Sequence, residues 1–267
     1  SAKSKIVVLF NGSAQRGHTV ELKDGYRHIF HHFGSGTLDW APTFFARTFM
    51  IHPMEFEREF VELSNRCTPV SFCDPDCVVV TPVDMLIDQI YAEHNAQKYN
   101  KRIFGSCCYG TWSCTDRIKS KICVYTAKDF FENDVVTLMN NLYTQWFSKE
   151  LNSRGVNKLP QGYEQYSDKA KLNQLFKRFA LTVEFMKKLC PLETFDNIYQ
   201  NYSNIIFEGA QGLQLDAQFA LNKGWNTTSR TGLVYPAQLL KDKTDFSGEV
   251  CYVTRTYITR HGEGPFD

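Results

Sequence analysis

Ile205, Ile206 and Phe207 form a short apolar run suited to a buried strand, and it leads straight into Gly209-Ala210-Gln211-Gly212. Small residues there let backbone approach a ligand closely. In an open α/β sheet, ligands sit beyond the carboxyl ends of strands, so Glu208 and Gln211 would face such a crevice. By spacing alone, an ordinary strand and a Gly-rich turn read the same way. The second candidate is His18, which follows a loop that breaks just after another strand signal. Imidazole titrates near neutrality, so a histidine at that address suits general acid or base work, although a lone histidine is more often structural.

The elements that must position these groups follow from pattern. Lys5 to Phe10 is a buried-strand signal, broken by Asn11 to Gly17 as a loop at a strand's C-terminal end should be. His18 to Leu22 and Arg27 to Phe33 read as two extended segments, joined at Lys23-Asp24-Gly25-Tyr26 by the Asp-Gly pair of a hairpin turn. Pro53 opens a helix with acidic residues early, and Val78-Val79-Val80 reads as a short strand. Pro82 to Ala96 predicts a helix, and Gly105 to Cys114 a loop of small and polar residues. Val135 to Leu151 and Lys169 to Leu189 predict two longer amphipathic helices. Val250 to Ile258 alternates like a final strand. With no repeat, low-complexity tract or linker, residues 1–267 read as one α/β domain.

With 267 residues the chain can bury a sizeable core. Its 30 basic and 29 acidic residues nearly cancel, so no bulk charge announces nucleic acid or membrane. The 21 Phe, 13 Tyr and 4 Trp are mostly core, with a few available for stacking on bases. Nine cysteines without a secretory segment read as reduced thiols of a cytoplasmic protein. Cys73, Cys77, Cys107, Cys108 and Cys114 lack the CxxC pairs of structural zinc sites, and no metal ligand set is expected. No apolar run is long enough to span a bilayer.

Four motifs in register carry a family resemblance. Phe207-Glu208-Gly209-Ala210-Gln211-Gly212, with Leu215-Asp216 after it, resembles the FEGAQG…LLD segment of adenylosuccinate synthetases. Gly17-His18-Thr19, Gly34-Ser35-Gly36-Thr37-Leu38 and Thr259 to Phe266 are similar to that family's AGHT, PSGIL and TRVGAGPF. The resemblance covers nearly the whole chain. It implies a mostly parallel central sheet flanked by helices.

It also implies roles. In the family, the histidine equivalent to His18 is the general acid as GTP phosphorylates the 6-oxygen of IMP. Aspartate's amine then attacks that carbon and phosphate leaves. Gln211 maps onto the base-contacting glutamine and joins His18 as a catalytic candidate. Glu208, Gly209, Gly212 and Asp216 of the same segment, and Gly17 beside His18, become substrate-binding candidates. Gln15 stands where the family has the Asn of NAGHT, on the substrate-phosphate side, one methylene longer. His31 matches the histidine of HLIPSG, whereas His32 is read as local packing. Ser106, in Gly105-Ser106-Cys107, keeps the hydroxyl of a phosphate-binding Gly-Thr-Thr turn. Arg117 and Lys121 fall near a basic pair that reaches the nucleotide across a dimer, which implies a homodimer. A solvated basic face fits them equally. Asn226-Thr227-Thr228 resembles a segment that meets phosphate and substrate, and Arg260 maps onto the arginine of TRVGAGPF.

The departures shape the functional expectation. The family's GDEGKGK loop, with its catalytic Asp, magnesium ligand and Lys, does not precede Lys5, and no GxxxxGK occurs. Ser1-Ala2 reads as a cloning remnant. After Phe266 the family continues with an Arg-rich loop and a TKxD guanine-specificity motif, whereas this sequence stops at Asp267. On this reading the substrate-base side is kept and GTP is not expected as a cofactor, though a magnesium ion stays compatible. The expected activity is a C–N bond-forming transfer, in which an amino acid or polyamine displaces phosphate or pyrophosphate from a pre-activated nucleobase. That base would be free or, as a hypermodified pyrimidine, within phage DNA and flipped out to be reached. The alternatives are an NTP-dependent ligase on free purine nucleotides, its phosphate site rebuilt from Asn11 to Arg16, and a non-catalytic nucleotide-binding homologue.

Overall fold

Strand β1 (Ile6–Leu9) is buried along its whole length, and its side chains alternate between two apolar clusters. Val7 and Leu9 face the larger one, while Ile6 and Val8 pack with Phe44, Phe195, Ile198 and Leu239 on the other side. A strand covered on both faces reads as a continuous apolar run rather than an alternating one, which is why the sequence signal is so plain. In this computed structural model, which describes residues 5–99, 107–219, 226–254 and 256–257, β1 lies inside a four-stranded sheet. The order is β6 (Ser71–Cys73), β4 (Thr43–Phe45), β1, β8 (Ile205–Glu208), and every pairing is parallel.

Strands β2 (His18–Glu21) and β3 (Arg27–Phe30) form the expected antiparallel hairpin, with His18 opposite Phe30 and Glu21 opposite Arg27. The short strands β5 (Met50–Ile51) and β7 (Val78–Val79) pair in a separate two-stranded parallel sheet.

Helix α1 (Pro53–Ser64) starts with proline in its first turn, and the His52 ring accepts from the Glu55 N–H at 3.3 Å. Helices α2 (Pro82–Tyr99) and α7 (Lys169–Leu189) match their patterns. The segment expected as one helix from Val135 is α5 (Val135–Leu142) and α6 (Ser148–Ser153), joined by a π-helical turn at Tyr143–Phe147. The wider turn buries Trp146, whose indole N–H donates to Ser113 Oγ at 3.3 Å. Three further helices are short: α4 (Ala127–Glu132), α8 (Phe195–Asn201) and α9 (Val234–Leu240).

Three expectations change. The loop placed at Gly105 to Cys114 gives way at Thr111 to α3 (Thr111–Ser120). Residues Val250 to Thr254 form no strand, and Val253 is 93% exposed. Alternation supplies one apolar face, but a strand also needs a neighbour to take its backbone hydrogen bonds. Ile258 lies outside the described residues.

The third change concerns Arg117, expected to bind nucleotide across a dimer. Its side chain is fully buried beneath α3, paired with Asp84 through Nε and Nη2, both at 3.0 Å. Nη2 also donates to the Val79 carbonyl at 2.9 Å, and Nη1 to the Cys123 carbonyl. Asp84 in turn accepts from the Thr81 backbone N–H at 3.0 Å at the start of α2. Arg117 therefore ties α2, α3 and β7 together and has no reach outward. Lys121 remains exposed at the end of α3.

Removing one member of a buried ion pair strands the other's charge. Arg117→Ala is expected to lower unfolding free energy by about 3–5 kcal/mol, measured by urea titration. A loss below 1 kcal/mol would show that the pair is not structural.

Candidate active site

Because β1 and β8 are adjacent and in register, Leu9 opposite Glu208, their ends release two loops side by side. Asn11 joins them. Its amide nitrogen donates to the Ala210 carbonyl and its carbonyl accepts from the Ala210 N–H, each at 2.9 Å. The buried side chain thus imitates the next rung of the sheet. After that rung both loops turn sharply, Gly12 at φ 74° and Gln211 at φ 69°. A left-handed glycine is ordinary, whereas a left-handed glutamine is held there by its surroundings. Gln211 Oε1 is buried and takes no hydrogen bond from the described residues.

Glu208 collects charge at the strand end. Its Oε1 meets His18 Nδ1 at 2.9 Å and Arg16 Nη2 at 3.0 Å. Its Oε2 accepts from the Ser35 backbone N–H at 2.9 Å and from the Ser35 hydroxyl. Ser35 can reach it because the residue before it is glycine. A Cβ on Gly34 would lie 2.7 Å from Val7 Cγ1, inside any tolerable contact. Burial alone would raise the Glu208 pKa. The His18 bond, the Arg16 charge and Ser35 outweigh it and hold the carboxyl down at about 2. An ionised Glu208 makes His18 Nδ1 the donor of their bond and leaves Nε2 as the ring nitrogen available to a ligand. Arg16 also donates to the Phe33 carbonyl at 2.5 Å.

His31 is oriented rather than free. Its Nδ1 lies 2.6 Å from the Arg16 carbonyl. Fully buried Glu59 accepts from the backbone N–H groups of His31 at 2.9 Å, His32 at 2.5 Å and Phe33 at 2.9 Å. It also meets His28 Nε2 at 3.0 Å. His32 is buried against Phe45, Phe49 and Phe56, as the packing reading has it, and burial drives its pKa well down.

Past Gly209 the loop is organised by Asp216, which accepts from Arg230 Nε and from the Thr231 N–H, both at 2.8 Å. Asn226 Nδ2 donates to the Asp216 carbonyl at 2.7 Å, and the Thr227 N–H to the Leu215 carbonyl at 2.8 Å. The hydroxyls of Thr228, Ser229 and Thr231 are buried and unpaired among the described residues. This loop meets the strand end at Gly209, where a Cβ would touch Phe10 at 3.1 Å and the Thr231 carbonyl at 3.8 Å. Gly212 opens a short 3-10 turn and faces no such constraint.

The structure thus joins His18 to Glu208, sets Gln15 and Gln211 about Gly12, and gathers Asp216, Asn226, Thr227 and Thr228 into one loop. Arg117 is elsewhere. Ser106, Arg260 and the Thr259 to Phe266 motif lie outside the described residues. Reading the sequence missed Asn11 as a clamp, Arg16 as a partner of Glu208, Ser35, Glu59 and Thr111. Ser35 lies within the Gly34 to Leu38 motif, and its hydroxyl was the available signal. Glu59 carried none, since an acidic residue in an amphipathic helix reads as solvated.

The all-parallel central sheet flanked by helices places the protein in the α/β class. The family model for adenylosuccinate synthetase matches residues 1–267, and the chain belongs to that family. It is 25% identical over 277 aligned residues to the adenylosuccinate synthetase of Francisella philomiragia, covering 99% of this chain and 59% of that protein. The corresponding Francisella tularensis subsp. novicida protein is 24% identical with the same coverage. The structure of fully ligated adenylosuccinate synthetase from Plasmodium falciparum superposes with a TM-score of 0.70 at 22% identity, over 98% of this chain and 58% of that one. The chain therefore spans about three-fifths of the length of the relatives it matches.

Glu208 is held below its ordinary value of 4.5, so its contribution to stability is complete above that pH and drains away as pH falls toward 2. Denaturant unfolding over that acid range is expected to show the parent losing on the order of 3 kcal/mol more than Glu208→Gln. Equal losses would mean that the carboxylate is not stabilised in the fold.

Proposed function

We propose that this chain forms a C–N bond at a phosphorylated carbon of a nucleobase, with His18 as the general acid. The observation that carries the reading is the His18–Glu208 pair beyond the ends of β1 and β8. The amine nitrogen of an amino acid or polyamine attacks the carbon. The C–O bond to phosphate breaks, with its electron pair leaving on oxygen, and the His18 Nε2 proton goes to that oxygen. The attacking amine releases its own proton to solvent. Gln211 and Gln15 flank the base and its phosphate, and the Thr228, Ser229 and Thr231 hydroxyls supply further polar contacts. Glu208 and Asp216 are committed to internal donors, and no group of three His, Cys, Asp or Glu converges among the described residues. Those internal bonds occupy both carboxylates that could ligate magnesium there.

The activated carbon can come from two sources. Membership of the adenylosuccinate synthetase family favours NTP-dependent phosphorylation of a free purine nucleotide by the same protein. The side chains of Asn11 and Arg16 are tied to Ala210, Glu208 and Phe33, which favours activation beforehand by a separate kinase, as for a pyrimidine in phage DNA. One assay separates them. IMP with GTP or ATP, magnesium and aspartate forms one arm; pyrophosphorylated hydroxymethylpyrimidine DNA with a panel of amines forms the other. Mass spectrometry of the new C–N product reads both. Product in either arm supports the proposal and names the source. Nucleotide binding without product in both arms would make the chain a non-catalytic homologue.

His18→Asn is expected to slow single-turnover product formation by about 10²–10⁴-fold while nucleotide affinity, measured by calorimetry, stays within about threefold of the parent. An unchanged rate removes His18 from the chemistry.

A further inference from the structure

Gln15 is one methylene longer than the asparagine its family carries, and a longer amide has more directions to point. The structure supplies the restraint from 96 residues away. Thr111 Oγ1 donates to Gln15 Oε1 at 3.0 Å. We infer that Thr111 is a positioning residue, which ties down the carbonyl end of the Gln15 amide so that the NH₂ end faces the bound ligand.

Three observations support this. Thr111 is buried and is the first residue of α3, so its hydroxyl is carried by a helix start rather than a mobile tip. That start is fixed from below: the Ser113 N–H donates to Asp88 at 3.2 Å, and the Trp146 indole donates to the Ser113 hydroxyl at 3.3 Å. The freed end of the amide also has a destination. Gln15 Nε2 lies 3.6 Å from the point where a Cβ on Gly12 would stand, and Gln211 Oε1, unpaired among the described residues, lies 3.8 Å from that same point. A donor from one loop and an acceptor from the other therefore converge over a residue that has no side chain to fill the space.

The group that Gln15 meets is an oxygen acceptor, either a phosphate oxygen or a carbonyl of the base. This inference rests on the nucleotide reading above. An amide held by a hydroxyl presents its donor without paying again in side-chain freedom when the ligand arrives. Loss of the hydroxyl leaves the amide free to turn its carbonyl toward an oxygen that repels it.

The test is a double-mutant cycle read by calorimetric binding of IMP and of inosine, which lacks the phosphate. Thr111→Val is expected to weaken IMP binding about tenfold when Gln15 is present and less than about twofold in a Gln15→Ala background. Thr111→Ser should restore binding to within about twofold of the parent. A loss shared by inosine assigns the acceptor to the base, and a loss confined to IMP assigns it to the phosphate. A Thr111→Val loss of equal size in both backgrounds, or no loss at all, overturns the inference while leaving the nucleotide reading intact. A parent chain that binds neither ligand overturns the free-purine reading and this assignment with it, and leaves the DNA arm of the assay above to decide the other source. If Thr111→Val does not fold, judged by its thermal transition, Thr111→Ser and Thr111→Ala are compared through the same cycle.

Discussion

The site depends on the parallel pairing of β1 with β8. These strands stand about 200 residues apart in the chain, and closing so long a loop has an entropic cost that grows only slowly with length. The cost is offset by burying β1 on both faces and by the backbone ladder itself. Asn11 extends the ladder by one side-chain rung at Ala210, adding two buried hydrogen bonds worth roughly 0.5–1.5 kcal/mol each. Everything the loops then present is set by where that rung ends. Gly12, Gln15 and His18 follow it on one side, and Gln211 follows it on the other.

Around this junction the electrostatics are closed at the back and open at the front. Glu208 is satisfied by an imidazole, a guanidinium and both donors of Ser35, which leaves it little capacity to act as a base itself. Its effect passes through His18, whose ring it orients by one nitrogen so that the other is presented outward. Glu59 plays the same part for the turn at His31 to Phe33, where three successive N–H groups converge on one buried carboxylate. Such turns normally leave their donors to solvent. Here an α1 side chain holds them, so the position of His31 is set by helix packing and not by the loop's own preferences.

Unpaired buried polar atoms are few in folded proteins and call for a reason. Of those among the described residues, Ser13 Oγ, Gln211 Oε1 and the hydroxyls of Thr228, Ser229 and Thr231 all belong to the loops that leave β1 and β8. Others, such as His32 Nδ1, His52 Nε2 and Asp88 Oδ2, lie away from these loops.

Much of this was legible in the residues themselves. The apolar run at Ile6 to Leu9, the Asp-Gly hairpin, the proline-led start of α1 and the span of α7 are local matters, settled by periodicity and turn chemistry. His18, Glu208 and Gln211 stood out because strand-to-loop transitions with small residues mark ligand positions, and four motifs in register named the family. Tertiary structure decided the rest, because it depends on contacts between distant residues. Arg117 and Lys121 look alike as charges four residues apart, yet burial beside Asp84 makes one a core strut and leaves the other on the surface. Val250 to Thr254 alternates as a strand does but forms none, since alternation is local and a pairing partner is not. Asn11 with Ala210, Ser35 with Glu208, and Thr111 with Gln15 are contacts across long stretches of chain, and only folding brings their atoms within hydrogen-bonding range.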